Sequence, residues 1–257
     1  MCCHNIIISD IIFDITAIVR YDCFVKEIRF KPASEDHQII VPPPKPARLY
    51  KSEWWEKTES FYRQDNLYQD FQNNLTVKHC IPFRDSLFSG YIQESWQDIR
   101  FDFDPETEEF NYTFPIQPDI LGHREHSSMP IGEEFYPIEF VIRVPWVPAT
   151  PKGWSVLVTQ PFNRPELPFF APSGIIDTDK MDNSAGIANF PVYLRKDAPN
   201  IVRSGTPLYQ IIPFKREAWK SVIDSYDPIA HKQMLAKIRQ SFWGGYKRLF
   251  WQKKIYQ

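Results

Sequence analysis

The chain has 257 residues, with 30 Lys and Arg against 32 Asp and Glu and a formal net charge of −2. No whole-chain basic field therefore draws nucleic acid, and only a local patch would serve. Hydrophobic residues make up 43% and aromatic ones 16%, among them 8 Trp and 20 Phe, enough for one sizeable core and too much for disorder throughout.

The 23 Pro against 9 Gly argue against a helical bundle or a parallel sheet. Proline donates no backbone hydrogen bond and is kept out of helix interiors and central strands. In chain order, residues 1–24 stand apart, with Cys2, Cys3 and Cys23 around an Ile-rich run. They read either as a strand or helix docked on the body or as a translated upstream extension that packs poorly. The run from Ile6 to Val19 holds Asp10 and Asp14 and spans too few residues for a membrane helix. It also lacks the basic start and small-residue cleavage site of a signal peptide. Further on only Cys80 is added, a poor disulfide framework that points to a reducing compartment. The expectation is a soluble intracellular protein.

Residues 25–219 read as a single β-rich domain. A strand begins at Val25-Lys-Glu-Ile-Arg-Phe. Val41-Pro-Pro-Pro-Lys-Pro46 reads as a stiff surface connector ahead of Trp54-Trp55, with a polyproline ligand for an aromatic groove as the alternative. Lys51 to Leu67 suits a short amphipathic helix or an irregular wrap. Val77-Lys-His-Cys-Ile predicts a strand, Pro82 to Asp85 a turn, and Ser89-Gly90-Tyr91-Ile92 a further strand. Ile99, Phe101 and Phe103 alternate with Arg100 and Asp102, the mark of a half-buried strand. The turn at Asp104 to Glu109 returns it as a hairpin through Phe110 to Phe114, and Ile138 to Val144 is the next strong strand.

In residues 220–257 the period changes. Asp227 reads as an N-cap with Pro228 at the first helical position, Leu235, Ile238 and Phe242 share a face, and Gly244-Gly245 is a stop. The tail interleaves Lys247, Arg248, Lys253 and Lys254 with Trp243, Tyr246, Phe250, Trp251 and Tyr256. Stacking on single-stranded nucleic acid is one reading. Packing of the rings on the body, with lysines turned outward, is the preferred one.

The stretch from Pro148 to Arg216 carries the most functional content. It reads Thr150-Pro-Lys-Gly153-Trp154, then Gly174-Ile-Ile-Asp177-Thr-Asp179, then Gly205-Thr-Pro-Leu-Tyr-Gln210. It resembles the dUTPase and dCTP-deaminase superfamily, in which a Pro-x-Gly-aromatic hairpin, a Gly-x-Ile-Asp turn and a Gly-x-x-x-x-Gln strand build a distorted β-barrel. The resemblance implies a dUTPase-like β-clip barrel over residues 138–215 and a trimeric assembly; with the Pro- and aromatic-rich N-terminal region as a wrap and the C-terminal helix read above, the expectation is a mainly β protein. For an enzyme it implies Asp177 as the base that orients and deprotonates a water. Arg164 would then lie on an anionic group, Gly174 and Asp179 beside the ligand, and Gln210 on a base edge or the backbone, with Mg²⁺ needed only in that case.

Departures from that family fall where its chemistry lies. Asp179-Lys180-Met181-Asp182 stands in place of the segment with the sugar-stacking Tyr, and Pro161-Phe-Asn-Arg164 in place of the segment with two phosphate-contacting Ser. The Gly-rich closing loop has no match beyond Gly244-Gly245-Tyr246. Without those groups a triphosphate is held far less well. On the plainer reading Gly153 and Gly205 permit turns, Asp177 caps its own turn and Gln210 satisfies buried backbone groups.

A longer set of motifs runs from about Lys26 to Trp219. It includes Lys78-His-Cys-Ile-Pro-Phe83, Asp85-Ser-Leu-Phe-Ser-Gly90-Tyr, Asn163-Arg164-Pro165 and Pro213-Phe214 through Trp219. This set is similar to a domain family of unknown function in tailed phages, notably marine ones, and in some bacteria. The expectation is a phage-encoded, non-catalytic binding or assembly protein of the host cytoplasm or virion, a homo-oligomer with other phage proteins as further partners and without nucleic acid. The competing class is the nucleotide-acting hydrolase. His123-Arg-Glu-His126 and His79-Cys80 each offer two ligands, short of a zinc set, so no metal is expected. Ser173-Gly174 lacks the context of a nucleophile elbow.

Overall fold

The computed structural model describes residues 26–62, 74–104, 106–107, 109–181, 189–240 and 244–257; the readings that fall on residues 1–25, 63–67, Pro105, Glu108, Asp182, Phe242 and Trp243 lie outside them. The body opens with β1 (Arg29–Pro32), α1 (Glu35–Ile40), β2 (Lys45–Pro46) and α2 (Glu53–Lys57). Helix α3 (Ile81–Phe88) leads into β3 (Tyr91–Glu94), β4 (Ile99–Phe103), β5 (Phe110–Thr113), β6 (Leu121–Arg124) and β7 (Glu139–Arg143). There follow β8 (Trp146–Ala149), β9 (Trp154–Thr159), β10 (Phe169–Phe170), β11 (Gly174–Ile176), β12 (Asn189–Leu194), β13 (Ile201–Val202) and β14 (Pro207–Lys215). Helices α4 (Pro228–Gln240) and α5 (Gly245–Leu249) complete the order.

Among the described residues every strand pairing is antiparallel. A five-stranded sheet has the order β11-β9-β14-β3-β2 and a four-stranded one β10-β12-β7-β6, beside a three-stranded β13-β4-β5 and the β1-β8 pair. The sheets stay separate, so among the described residues the strands of 138–215 form no closed barrel. Proline within the strands gives a physical reason. Pro148, Pro191, Pro207 and Pro213 each remove a ladder donor, and the β14–β3 register shifts between Pro207 and Tyr209.

The core lies between these sheets. Phe140 and Ile142 of β7, Val156 and Val158 of β9, Val192 and Leu194 of β12, and Leu208, Tyr209 and Ile211 of β14 are buried together in it. On β4 the alternation holds as read, with Ile99 and Phe101 buried and Arg100 and Asp102 exposed, and β4 pairs with β5 in the expected hairpin. Strand β7 is buried on both faces, which places the Glu139 carboxylate inside the protein. That carboxylate is matched by the Ser128 amide at 2.8 Å, the Tyr193 hydroxyl at 2.8 Å and Arg124 Nη1 at 2.5 Å. Burial alone would raise its pKa, but the Ser128, Tyr193 and Arg124 contacts outweigh that and hold it below the ordinary carboxylate value.

The expected strand at 77–81 and turn at 82–85 are instead helical, a 3-10 turn at Val77–His79 followed by α3. Local chemistry decides this. The Thr76 hydroxyl accepts from the Lys78 amide at 3.3 Å, Pro82 sits in the first turn where its missing N–H costs nothing, and the Ser86 and Ser89 hydroxyls bond back to the Phe83 and Asp85 carbonyls at 2.7 and 2.6 Å. Helix α4 begins as read, with Asp227 Oδ1 accepting from the Ile229 and Ala230 amides at 2.9 and 3.0 Å. Among the described residues no helix is long and apolar enough to cross a membrane.

Candidate functional site

The residues singled out by motif fall at two places along β9. Strand β11 runs antiparallel to it, Gly174 opposite Val158 and Ile176 opposite Val156. Asp177, next after β11, therefore arrives near Ser155 at the start of β9, while Ser173 arrives near its end, where the Thr159 and Ser173 hydroxyls meet at 2.7 Å. Four residues of strand, about 13 Å, separate those two places.

At the first place Arg216 is the hub. Its Nη1 donates to Asp177 Oδ1 at 3.1 Å, Asp179 Oδ1 at 3.2 Å, Ser155 Oγ at 3.0 Å and the Trp154 carbonyl at 3.1 Å, and its Nη2 to Asp179 Oδ2. Asp179 Oδ2 also accepts from the Gly153 amide at 2.8 Å, where a φ of +84° favours glycine in the hairpin turn. The Ser155 hydroxyl donates to Asp177 Oδ1 at 2.6 Å. The Asp179 side chain is only 3% exposed against 65% for Asp177. The Arg216 hydrogen bonds, with the Gly153 amide, pull the Asp179 pKa down to about 2. Asp177 is lowered too, first by Ser155 and then by Arg216. The arrangement ties the β9 hairpin, the 177–179 turn and the end of β14 together.

At the second place Gln210, fully buried on β14, accepts from the Phe162 amide at 2.9 Å through Oε1 and donates through Nε2 to the Ser86 and Ser89 carbonyls at 3.1 and 2.5 Å. It pins the 161–162 loop to the end of α3. Arg164 follows in that loop, its side chain 5% exposed and Nη1 at 3.3 Å from Glu166. Its Nη2 is buried and finds no hydrogen-bond partner among the described residues. A cleft of about 550 Å³ opens beside it, walled by Trp54, Phe83, Phe162 and Phe170 with Thr159 and Ser173 at its polar edge. Gly174 lies next to that edge, with nothing within 4 Å of where a Cβ would stand.

Gln210 thus holds the loop that carries Arg164 without touching its guanidinium, while Asp177 and Asp179 share Arg216, and the two groups do not converge within one chain. Sequence reasoning did not single out Arg216, Ser155 or Ser86. The only signal for Arg216 was its place directly after a strand that pairs with the Gly153 hairpin, which becomes visible once the β14–β9 register is known. His123 Nδ1 lies 3.1 Å from the Tyr112 hydroxyl, and among the described residues no three His, Cys, Asp or Glu side chains group as metal ligands. Compared with known proteins, the chain matches no family model and no curated sequence.

Proposed function

We propose that this chain is a non-catalytic binding or assembly protein, built on a dUTPase-like β scaffold of the kind tailed phages encode, and that it works as a homo-oligomer. The observation that carries the reading is the segment after β14. Every residue from 216 to 240 is exposed, with large apolar side chains in water, Trp219 at 87% and Ile223 at 96% among them. So many large apolar side chains exposed along one segment fit contact with another protein.

The hydrolase is the second reading, and the Arg164 cleft favours it. That reading needs Asp177 as base, Arg164 on the anionic group, Gly174, Asp179 and Gln210 around the ligand, and Mg²⁺. Against it, Asp177 already holds Arg216 and Ser155, and both donors of the Gln210 amide are engaged by backbone. Sedimentation velocity tests the assembly reading. Wild type is expected to associate at micromolar concentration, and Ile223→Glu combined with Ile229→Glu to weaken that association with the melting temperature of the body unchanged. Because association follows mass action, a wild type that stays monomeric when concentrated about tenfold further sinks the homo-oligomer.

A further inference from the structure

Two of the side chains that wall the cleft of about 550 Å³ carry a buried N–H with no hydrogen-bond partner among the described residues, Arg164 at Nη2 and Trp54 at Nε1. Buried donors are nearly always met, so two of them on one cleft call for an acceptor. Arg164 is also the one ionisable side chain among the described residues that line it. Its side chain is 5% exposed, and its ion pair reaches Nη1 alone, 3.3 Å from a Glu166 carboxylate that is itself 41% exposed. A guanidinium taken out of water and so thinly matched favours an anion.

The rest of the wall is largely aromatic. Trp54 of α2 and Phe83 of α3 meet edge to face at 6.1 Å, and Phe162 and Phe170 add two more rings. The loop that carries Arg164 is fixed in place. The Phe162 amide donates to buried Gln210 at 2.9 Å, Asn163 takes a left-handed φ of 56° and donates through Nδ2 to Ser86 Oγ at 2.8 Å, and the Leu167 amide closes back on the Arg164 carbonyl at 3.2 Å. A site already held in shape loses little freedom on binding.

We infer that this cleft binds a small planar aromatic carboxylate, with its ring against the aromatic wall and its carboxylate on Arg164, Trp54 Nε1 serving as a second donor. The volume is that of a small-molecule site, roughly 300–1,000 Å³. One cation matches one negative charge, which sets a monocarboxylate above a triphosphate. Both nitrogens are shut off from water, so seating the carboxylate takes a rotamer shift in the wall, a common event on binding; Phe170, 37% exposed, is the most open of the four rings. The inference stands apart from both readings above. The assembly reading does not use the cleft, and the hydrolase needs Asp177 at the ligand, whereas Asp177 lies toward the other end of β9, about 13 Å along the strand.

The test titrates benzoate, phenylacetate and 2-naphthoate into the full chain, each beside its uncharged amide, with binding followed by calorimetry and by saturation-transfer NMR of the ligand. At least one acid is expected to bind about tenfold more tightly than its amide, because charge-assisted hydrogen bonds are about twice as strong as neutral ones. Arg164→Met, which keeps an unbranched side chain without the charge, should bring that acid down to the level of its amide. Ser173→Phe, at an exposed position on the edge of the cleft, should abolish binding of both, and it decides the matter where Arg164→Met does not fold; melting temperatures check the fold of each variant. No binding by any of the acids at several millimolar, equal binding of acid and amide, or binding that survives Ser173→Phe overturns the inference. A pyrimidine deoxynucleoside triphosphate that binds in a manner blocked by Ser173→Phe, while none of the acids binds, overturns it too and returns the cleft to the hydrolase.

Discussion

Asp179 and Gln210 show how a residue chosen for a ligand is held by the protein's own backbone. With a folded-state pKa of about 2 against an ordinary 3.8, Asp179 contributes stability that is fully present above pH 3.8 and is lost as pH falls through 2. Thermal melting against pH should therefore show a decline across that window for wild type. Asp179→Asn should start lower at neutral pH and decline less on acidification. Equal slopes for the two proteins would mean that Asp179 is not the group holding Arg216. Gln210→Ala removes partners from the Phe162 amide and the Ser86 and Ser89 carbonyls, partly buried groups around a fully buried side chain. It should cost about 3 kcal/mol, since each buried group left unmatched costs about 1–3 kcal/mol; a loss under about 1 kcal/mol in urea unfolding would show that water replaces the amide.

At the scale of elements, the passage from α3 into β3 is the tightest constraint. Gly90 has a φ of +69°, and a Cβ there would stand 2.1 Å from the Ile211 carbonyl oxygen of β14. Gly90→Ala must therefore part β3 from β14, and it should fail to give soluble folded protein at 37 °C; a variant that melts like wild type would show that this turn has another available path. The elements legible in sequence were those whose signal is local. Ile99 to Phe103 declared its strand by alternation, and Asp227-Pro228 declared the start of α4 by capping. Residues 77–88 misled because Val77, Ile81 and the proline read as strand and turn, whereas Thr76, Ser86 and Ser89 settle a helix through side-chain bonds that composition does not reveal.

For the whole molecule, antiparallel β architecture followed from the many prolines and the period-two runs, and closure did not. Whether β7, β9 and β14 join one barrel depends on long-range register, as the shift at Pro207 illustrates, and no local pattern encodes that. The same holds for the candidate site. Motif spacing found Asp177, Asp179, Arg164 and Gln210, but which of them meet is set by strand pairing, and Arg216 closes on the first two from across β9.

The central claim, that the Asp177 and Asp179 cluster is a structural clamp and not a catalytic centre, meets its most direct test in turnover. Purified protein with Mg²⁺ is offered a panel of pyrimidine deoxynucleoside triphosphates while phosphate and ammonia release are followed for wild type and Asp177→Asn. The account predicts no release above buffer for either protein and a small fall in melting temperature for the variant, as for loss of a turn-holding carboxylate. Robust release by wild type, abolished by that one substitution, would contradict it and make Asp177 the base of an enzyme.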